Sequence, residues 1–464
     1  MAGSLKSDRT RRVNSLSENP LTLDIVIGGG KDETFMFTEH TLRDALMAEL
    51  HARPHGLTLA PAEVSHLAVS TGERPSQDDL QHLTALCSHF NVAPPGADAR
   101  VFIADMGPFR LKWERHAEFS AYTFIAERNF TNPFKRTAVV EVPADWLAAL
   151  PGEVISALHI ALDARDNLDE VEVLSVDASQ ALDHNPITGG ILLEGRAMWW
   201  TDFRIHADRF GRFLVHSVAL DAESGGRLVQ RIIEMETYRL MAMLALPIAQ
   251  EARPRVSEAE DELSSILGQL GGEQENFDDR RLLGELTRLA GEAERINGLI
   301  AYRFSATRAY QEIVRQRVTA LREDRITGLQ PVSQFMMTRF EPAMETCDNL
   351  ARRLDQLSAR IARAGNLLRT RVDVALEEQN RDLLQSMDRR VQLQLRLQQM
   401  VEGLSVVAIS YYVISLVIYL ARGANSLGIE IDPYLTSLVA FPLVVGGVWW
   451  GVRAIRRRMT KSKN

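Results

Sequence analysis

The chain has 464 residues and a formal net charge of −8, with 45% hydrophobic and 25% charged residues. This length predicts about two to four structural units, and the composition is that of a globular protein. The acidic balance shows no basic footprint of the kind that nucleic-acid binding needs, so we expect no nucleic-acid partner. The two cysteines, Cys87 and Cys347, lie far apart in the sequence, which excludes a disulfide framework and fits a reducing compartment.

Residues 1–38 are expected to be disordered or irregular. The first twenty are rich in Ser, Arg and Asn and contain no apolar signal core. Their basic residues would suit a transit peptide, whereas Asp8 and Glu18 count against one. Without a secretion signal, the bulk of the chain is expected to stay in the cytoplasm.

Residues 39–226 are predicted to form a mixed α/β domain. Helical patterns occur at Thr41–His51, Ser76–Phe90 and Asp145–Ala164. Aromatic and β-branched residues predict strands at Val64–Ser70, Val101–Asp105, Phe109–Glu114, Ala121–Ile125, Ile191–Met198, Thr201–His206 and Phe213–Ala219. Strands clustered in this way favour an α+β fold over a regular parallel sheet.

Residues 227–342 are predicted to form helical arms. The expected helices are Arg227–Ala252, interrupted at Pro247, then Glu258–Leu270 and Asp278–Asp324. Glycines at 271–272 and the segment Gly328–Pro331 would end the second and third of these helices.

A long stalk helix is predicted over residues 343–403, because no proline occurs between Pro342 and Pro433. Its apolar residues repeat with spacings of 3 and 4, as in a coiled-coil seam: Cys347, Leu350, Leu354, Leu357, Ile361, Ala364 and Leu368. Beyond this seam the spacing approaches an eleven-residue period, at Val372, Leu376, Leu383, Met387 and Val391. The stalk is expected to pack against the chain's own helix Asp278–Asp324, against other copies in an oligomeric bundle, or against both.

Two uncharged segments near the C-terminus predict a membrane hairpin. Transmembrane helix 1 is expected at 404–421 and transmembrane helix 2 at 434–452. The length of each is close to the about 20 residues that a helix needs to cross a bilayer. The short loop 422–433 is expected in the periplasm, and 453–464 forms a basic cytoplasmic tail. Basic residues flank the outer ends of the pair, so the positive-inside rule places both termini in the cytoplasm. The expected location is the inner (plasma) membrane, with two passes through the lipid bilayer.

No catalytic constellation emerges, so we do not expect an enzyme. The glycines of Ile27–Lys31 lack the rest of a phosphate-binding loop and favour a hairpin turn. His116 and Glu118 have the H-x-E spacing of zinc deaminases, but the downstream cysteine pair is missing, which favours paired charges on strands. The five histidines between 51 and 89 lack the tight spacing of a zinc site.

The first membrane segment carries polar side chains at helical spacing. The candidate helix-interface or pore-facing residues are Glu402, Ser405, Tyr412, Ser415 and Tyr419. Polar groups within a bilayer face protein or water rather than lipid. This face is therefore expected to form hydrogen bonds between helices or to line an aqueous pathway.

Several motifs together resemble a bacterial membrane-anchored family catalogued as domain of unknown function 3422. They are His51-Ala-Arg-Pro54, Val64-Ser-His-Leu67, Trp113-Glu-Arg-His-Ala-Glu-Phe119, Thr237-Tyr-Arg239 and the eleven residues from Glu402 to Tyr412. The resemblance spans about Glu39 to Arg458. It implies family membership and topology, and it carries over no activity and no catalytic residue.

A more distant likeness is to the architecture of CorA-type magnesium channels. These are pentamers with an N-terminal α/β domain, a long stalk helix, two C-terminal membrane helices and a Gly-Met-Asn motif after the first. This chain has Gly423 and Asn425 but Ala424 in place of the methionine, which counts against magnesium selectivity. Arg422 at a pore mouth would repel cations.

We therefore expect an inner-membrane homo-oligomer of CorA-like architecture, with ion transport or sensing as its role and a divalent cation as candidate partner. Self-association would use the stalk and the membrane helices. The alternative is a membrane-tethered scaffold or binding module in which the hairpin serves only as an anchor.

Overall fold

The computed structural model describes residues 40–43, 46–47, 56–72, 78–270, 279–426 and 432–461, without the side chains of 425, 426, 433 and 455–461. The expected irregular N-terminus and most of the predicted helix Thr41–His51 lie outside the described residues. Contacts divide the chain into two units, Met1–Glu262 with Gly291–Ala359 and Leu263–Ala290 with Arg360–Asn464.

A nine-stranded sheet forms the centre of the first unit. Its strands are β1 (Ala62–Ser70), β2 (Val101–Asp105), β3 (Arg110–Arg115), β4 (Phe119–Ala126), β5 (Glu153–Ala164), β6 (Thr188–Leu192), β7 (Ala197–Thr201), β8 (Gly211–Ser217) and β9 (Asp324–Arg325). Their spatial order is β2-β3-β4-β1-β5-β8-β7-β6-β9. Strands β5 and β8 pair in parallel, and the other neighbouring strands are antiparallel. The predicted α+β class is confirmed.

Helices cover both faces of this sheet. They are α1 (Asp78–His89), α2 (Ala144–Ala148), α3 (Val171–Ala181) and α4 (Ala222–Met243). Alternate strand residues such as Val64, Ile160 and Phe213 pack with α4 on one face. On the opposite face, Leu67 and Trp113 belong to the apolar cluster of α1, and Trp200 to that of α3. This arrangement follows from the period of two along each strand.

The predicted helix Asp145–Ala164 is wrong, because β5 occupies most of this range. After the single turn of α2, Gly152 adopts a φ of 132° and the chain enters an extended conformation. Leu158, Ile160 and Leu162 then point to the α4 face, with Ala161 on the other. The alternating apolar side chains suit a strand buried on both faces, and pairing with β1 and β8 overrides the helical propensity of the alanines.

Two further strand predictions need correction, and one helix was not predicted. The predicted strand Ile191–Met198 divides into β6 and β7, since Leu193, Glu194 and Gly195 all have positive φ. The predicted strand Thr201–His206 is a loop that follows the last residue of β7. Helix α3 had no counterpart in the sequence-based predictions.

Long helices make up the rest of the described chain: α5 (Ala245–Leu270), α6 (Asp279–Ala320), α7 (Val332–Phe335), a π-helical turn (Met336–Phe340), α8 (Glu341–Ser426) and α9 (Pro433–Lys461). The helical region is interrupted as predicted, but at Leu244, between α4 and α5, rather than at Pro247. Helix α5 begins at Ala245, so Pro247 lies in its first turn, where its missing N–H has no intrahelical partner to lose. The predicted unbroken stalk is confirmed, because α8 runs for 86 residues into the apolar segment.

The predicted seam of α8 is buried within the chain. In the first unit, Arg353 of α8 forms an ion pair with Glu260 of α5 at 2.6 Å, and Arg308 of α6 lies 3.4 Å from Asp348. In the second unit, Arg371 donates a hydrogen bond to the carbonyl of Leu270 at 3.2 Å. All seven seam residues are at most 4% exposed. Helices α5 and α6 of the same chain therefore contact α8 along its seam, as expected for α6.

Close packing at the start of α4 generates a stability prediction. A Cβ atom on Gly226 would overlap the carbonyl oxygen of Gly56, whereas one on Gly298 of α6 would meet open space. We expect Gly226→Ala to lower the free energy of unfolding by about 3 kcal/mol through overpacking. Gly298→Ala should raise it by about 0.5–1 kcal/mol through its higher helix propensity.

Urea denaturation followed by tryptophan fluorescence measures both values, since Trp113, Trp199 and Trp200 are buried in the first unit. Equal stability of the two variants would contradict the close approach of α4 to residues 56–58.

Candidate functional site

Two described helices are long and apolar enough to cross a membrane. The first candidate span lies within the continuous helix Val332–Ala424, and the second is Tyr434–Ala454. Only 11% of the most apolar window is buried in the first and 0% in the second. Core helices of a soluble protein are covered by their neighbours, so this exposure favours lipid as the environment of both segments.

Each candidate span has one covered face. In α8, Ser410 and Ala421 are buried, and Val406, Ile414 and Val417 are half-buried at spacings of three and four. In α9 the half-buried positions include Ala440, Val444, Val448 and Gly451, again three or four residues apart. Such spacing marks a single helix face, and small residues on it permit close approach of a neighbouring helix.

The predicted polar stripe lies mostly away from this covered face. At about 100° per residue, its five members fall within an arc of about 140°. Tyr412 and Tyr419 are 73% and 69% exposed in the single chain. Ser405 and Ser415 are half-buried, and their hydroxyls donate to the carbonyls of Val401 and Tyr411 at 2.8 Å.

Glu402 is half-buried at the start of the apolar segment. The structure keeps the five predicted residues on one side of α8, and the two tyrosines have the largest free surface. Their role stays a prediction.

Ser410 is a polar residue that the stripe did not include. It is 4% exposed, and its hydroxyl has no hydrogen-bond partner among the described atoms. Its position about 140° around the helix from Ser405 excluded it from the spacing argument. Only the burial of that face singles it out.

A second group of polar residues lies inside the α/β domain, around His66 of β1. Its Nδ1 lies 2.8 Å from the hydroxyl of Thr123, and its Nε2 lies 3.2 Å from that of Thr237. Burial lowers the pKa of His66 to about 3, and the positive groups His116 and Lys112 act in the same direction. The imidazole is therefore neutral and held from both sides, which suits a structural link between the sheet and α4 better than proton transfer.

Glu118, in the turn between β3 and β4, anchors α6 to the sheet. Its carboxylate accepts hydrogen bonds from Arg303 at 3.1 Å and from the hydroxyl of Tyr310 at 2.6 Å. Burial, followed by the contact with Glu118, raises the pKa of Tyr310 above its ordinary value. His116 stacks on Phe119 at 4.2 Å. The H-x-E pair thus makes packing and ion-pair contacts, in agreement with the structural interpretation of this motif.

Two arginines of the motifs also have hydrogen-bond partners within the fold. Arg239 forms two hydrogen bonds to Glu236, at 2.8 and 2.6 Å, and lies over the ring of Phe203. Arg115 donates two hydrogen bonds to the buried Asp79 at 2.9 and 2.6 Å. No group of three or more metal-ligating side chains occurs among the described residues. The motif residues of β1, β3–β4 and α4 thus have polar partners within the fold.

The sequence comparison agrees with this picture of motifs joined by the fold. The family described as Protein of unknown function (DUF3422) matches residues 38–459. The chain belongs to this family. Among the curated proteins, none matches the chain.

One solved structure similar to this DUF3422 protein is described as the complete structure of the CorA magnesium transporter from Methanocaldococcus jannaschii. It shares 10% identity and covers 64% of this chain and 90% of that chain, with a TM-score of 0.11. Helix α8 of this chain continues without a break to Ser426. Residues 427–431 of the predicted loop lie outside the described residues.

The contacts of Glu118 could not be read from spacing, since Arg303 and Tyr310 are 185 and 192 residues away. The sequence indicates only that Arg303 and Tyr310 lie on the predicted helix Asp278–Asp324, and it does not indicate their contact with Glu118. Tyr238 of the fourth motif stacks on Tyr310 at 5.3 Å, so two motifs converge on one α6 residue.

The buried state of His66 predicts a pH dependence of stability. Its pKa is about 3 in the folded chain, below the ordinary 6.5, so the unfolded chain binds the proton more tightly. Its contribution is fully present above about pH 6.5 and is lost as pH falls toward 3, a change on the order of 4 kcal/mol. His66→Gln retains a hydrogen-bonding side chain without this titration, and the free energy of unfolding should fall less between pH 6.5 and 4.

Urea unfolding at a series of pH values checks this expectation, with the exposed His89→Gln of α1 as control. Burial also lowers the pKa of His159, to about 4, so the slope should be reduced rather than abolished. A His66→Gln slope equal to that of the wild type would contradict it.

Proposed function

We propose that this DUF3422 protein is a two-pass inner-membrane protein that assembles into a homo-oligomer through α8. In this assembly the polar side of the first membrane helix faces the centre and lines a pathway for a divalent cation. The observation that carries the proposal is the exposure of residues 373–400 of α8, which are exposed at every position in the single chain.

This exposed segment has an apolar stripe. Leu376, Leu383, Met387 and Val391, here called the stalk stripe, are 39–62% exposed and fall within an arc of about 80°. Helices in water owe most of their stability to packing of an apolar face rather than to propensity. The stalk stripe therefore favours a partner that the described chain does not supply.

A second copy of the chain is the partner that fits best. Charged side chains of both signs, including Arg381, Asp388 and Arg389, lie outside the arc of the stripe, where they would remain in water. The same helix continues into an apolar segment, so two copies anchored in one bilayer would hold their stalks at a high effective concentration. The near eleven-residue spacing suits a bundle with little supercoil.

The membrane orientation in this proposal follows the charges. Basic residues precede the first span at Arg389, Arg390 and Arg396 and follow the second from Arg453 onward. The positive-inside rule then favours cytoplasmic N- and C-termini with the short loop on the periplasmic side.

The polar side of the first span supports a pathway. A ring of Glu402 side chains at the cytoplasmic end would attract cations, and Tyr412 and Tyr419 would supply hydroxyl oxygens farther along. The exposed Arg422 at the other end would oppose cation entry. This residue, together with the back-bonded hydroxyls of Ser405 and Ser415, favours the alternative of a membrane-tethered scaffold or binding module.

Oligomeric state tests the assembly. Native mass spectrometry in lipid nanodiscs should find a closed oligomer for the wild type. Leu383→Glu combined with Met387→Glu should shift it to monomer, because it places carboxylates in the buried interface. The matched pair Gln385→Glu and Gln399→Glu adds the same charge on the far side of the helix and should leave the oligomer intact. A monomeric wild type, or equal behaviour of both pairs, would sink the proposal.

Cation flux tests the pathway separately. Liposomes with the reconstituted oligomer should take up Mg²⁺ or Co²⁺, as reported by an internal dye, and Glu402→Ala and Tyr412→Phe should slow the uptake several-fold. Tyr434→Phe, at the start of α9 and outside the stripe, is the control.

An intact oligomer without flux would exclude the pathway and leave the scaffold. In that case, replacement of residues 401–464 by an unrelated membrane hairpin should preserve the cellular function.

A further inference from the structure

A large polar cavity opens on the sheet face opposite α4, in the first unit. Its volume is about 780 Å³, within the range of small-molecule sites. The walls are the segment 130–135, the end of β5, the last turn of α3 and the middle of β8. None of the predicted site residues lies here, and the membrane proposal makes no use of it.

The wall of the cavity includes a buried histidine whose two ring nitrogens make no hydrogen bond among the described residues. His216 of β8 is 2% exposed, and its Nδ1 lies 3.2 Å from a carboxylate oxygen of Asp163. Its Nε2 has no hydrogen-bond partner among the described residues. Buried polar groups in proteins are nearly always satisfied, so an unpaired nitrogen in a cavity wall points to a ligand.

Asp163 prepares His216 for that role. The carboxylate also forms an ion pair with Arg165 at 2.7 Å. Although burial opposes it, the contacts with His216 and Arg165 hold the pKa of Asp163 below its ordinary value. A carboxylate beside Nδ1 orients the ring and leaves Nε2 as the nitrogen that can contact a ligand.

Two further cations in the wall have donors to spare. The terminal nitrogens of Arg165 make no hydrogen bond to the described residues, and its side chain is 42% exposed. Lys135 is exposed and forms no ion pair with the described chain. By contrast, Arg212 is occupied, since it contacts Asp183 at 3.3 Å and Asp208 at 3.2 Å.

The acids of the wall do not cancel this positive excess. Asp183 is paired with His206 at 2.8 Å as well as with Arg212. Asp177 of α3 is the wall's remaining carboxylate, against the spare donors of Lys135 and Arg165. Two cationic side chains in one cavity wall suit the oxygens of a phosphate group, which accepts several charge-assisted hydrogen bonds at once.

The other wall residues suit the organic part of a ligand. Thr131, Asn132 and Gln180 supply neutral donors and acceptors for hydroxyl groups, and Phe130 supplies an apolar ring. We infer that this cavity binds a small organic phosphate, with its phosphate on Arg165, Lys135 and His216 and its polar body toward Asn132 and Gln180.

Calorimetric titration of the full-length protein in detergent tests this site. The probes are ribose 5-phosphate, adenosine 5′-monophosphate, adenosine and inorganic phosphate. One of the two organic phosphates should bind with a Kd below about 1 mM, more tightly than adenosine or inorganic phosphate. Arg165→Ala and Lys135→Ala should each weaken binding at least tenfold, and His216→Gln should do the same. Arg253→Ala, an exposed arginine of α5 outside the cavity, is the charge control.

Arg165 and Lys135 are exposed enough for their variants to fold, so the outcome does not depend on the buried His216. Absence of binding by both organic phosphates would overturn the inference, as would wild-type affinity in Arg165→Ala and Lys135→Ala. Binding of inorganic phosphate as tight as that of the organic phosphates would overturn the part assigned to Asn132 and Gln180.

Discussion

The continuity of one helix is the constraint on which the architecture depends. Helix α8 runs for 86 residues from Glu341 to Ser426, and its one proline, Pro342, lies in the first turn. A buried seam, an exposed charged segment and an apolar span follow one another along it, and each segment has its own surroundings. Within the second unit, the helical period relates the direction in which Leu383 faces to that of Tyr412. The proposed assembly and pathway both depend on this relation.

The α/β domain is joined to its helices by buried polar contacts as well as by apolar packing. His66 links β1 and β4 to α4, and Glu118 links the β3–β4 turn to α6. His66 has a hydroxyl partner at each ring nitrogen, and Glu118 pairs with Arg303 and Tyr310, so both residues stabilise one arrangement of helix on sheet. Removal of one partner would leave a buried polar group unpaired, which costs more than the contact contributes. The same commitment explains why these motif residues suit structure rather than catalysis.

The cavity at His216 differs in one physical respect from the buried contacts of His66 and Glu118. There the imidazole lies beside Asp163 on one side, and its Nε2 has no hydrogen-bond partner among the described residues although the residue lines a cavity. His66 and His216 lie on strands of the same sheet, yet the first is closed by two threonines and the second is left open. A histidine in a strand pattern is equally consistent with both states, and only its neighbours across the sheet decide between them.

Much of the fold was determined by the sequence alone: the clustered strands before residue 220, the unbroken stalk, its seam and the two apolar spans. These features depend on local periodicity, on uncharged length and on the position of proline, which act within one or two turns of the chain. Tertiary structure decided the rest. Pairing with β1 and β8 made Glu153–Ala164 a strand, and positive φ at Leu193–Gly195 divided β6 from β7. Contacts between residues more than a hundred positions apart gave Glu118 its partners, and the burial of one helix face set Ser410 apart from the polar stripe. Such contacts depend on which surfaces meet in the folded chain, and the spacing of residues in the sequence does not indicate which surfaces meet.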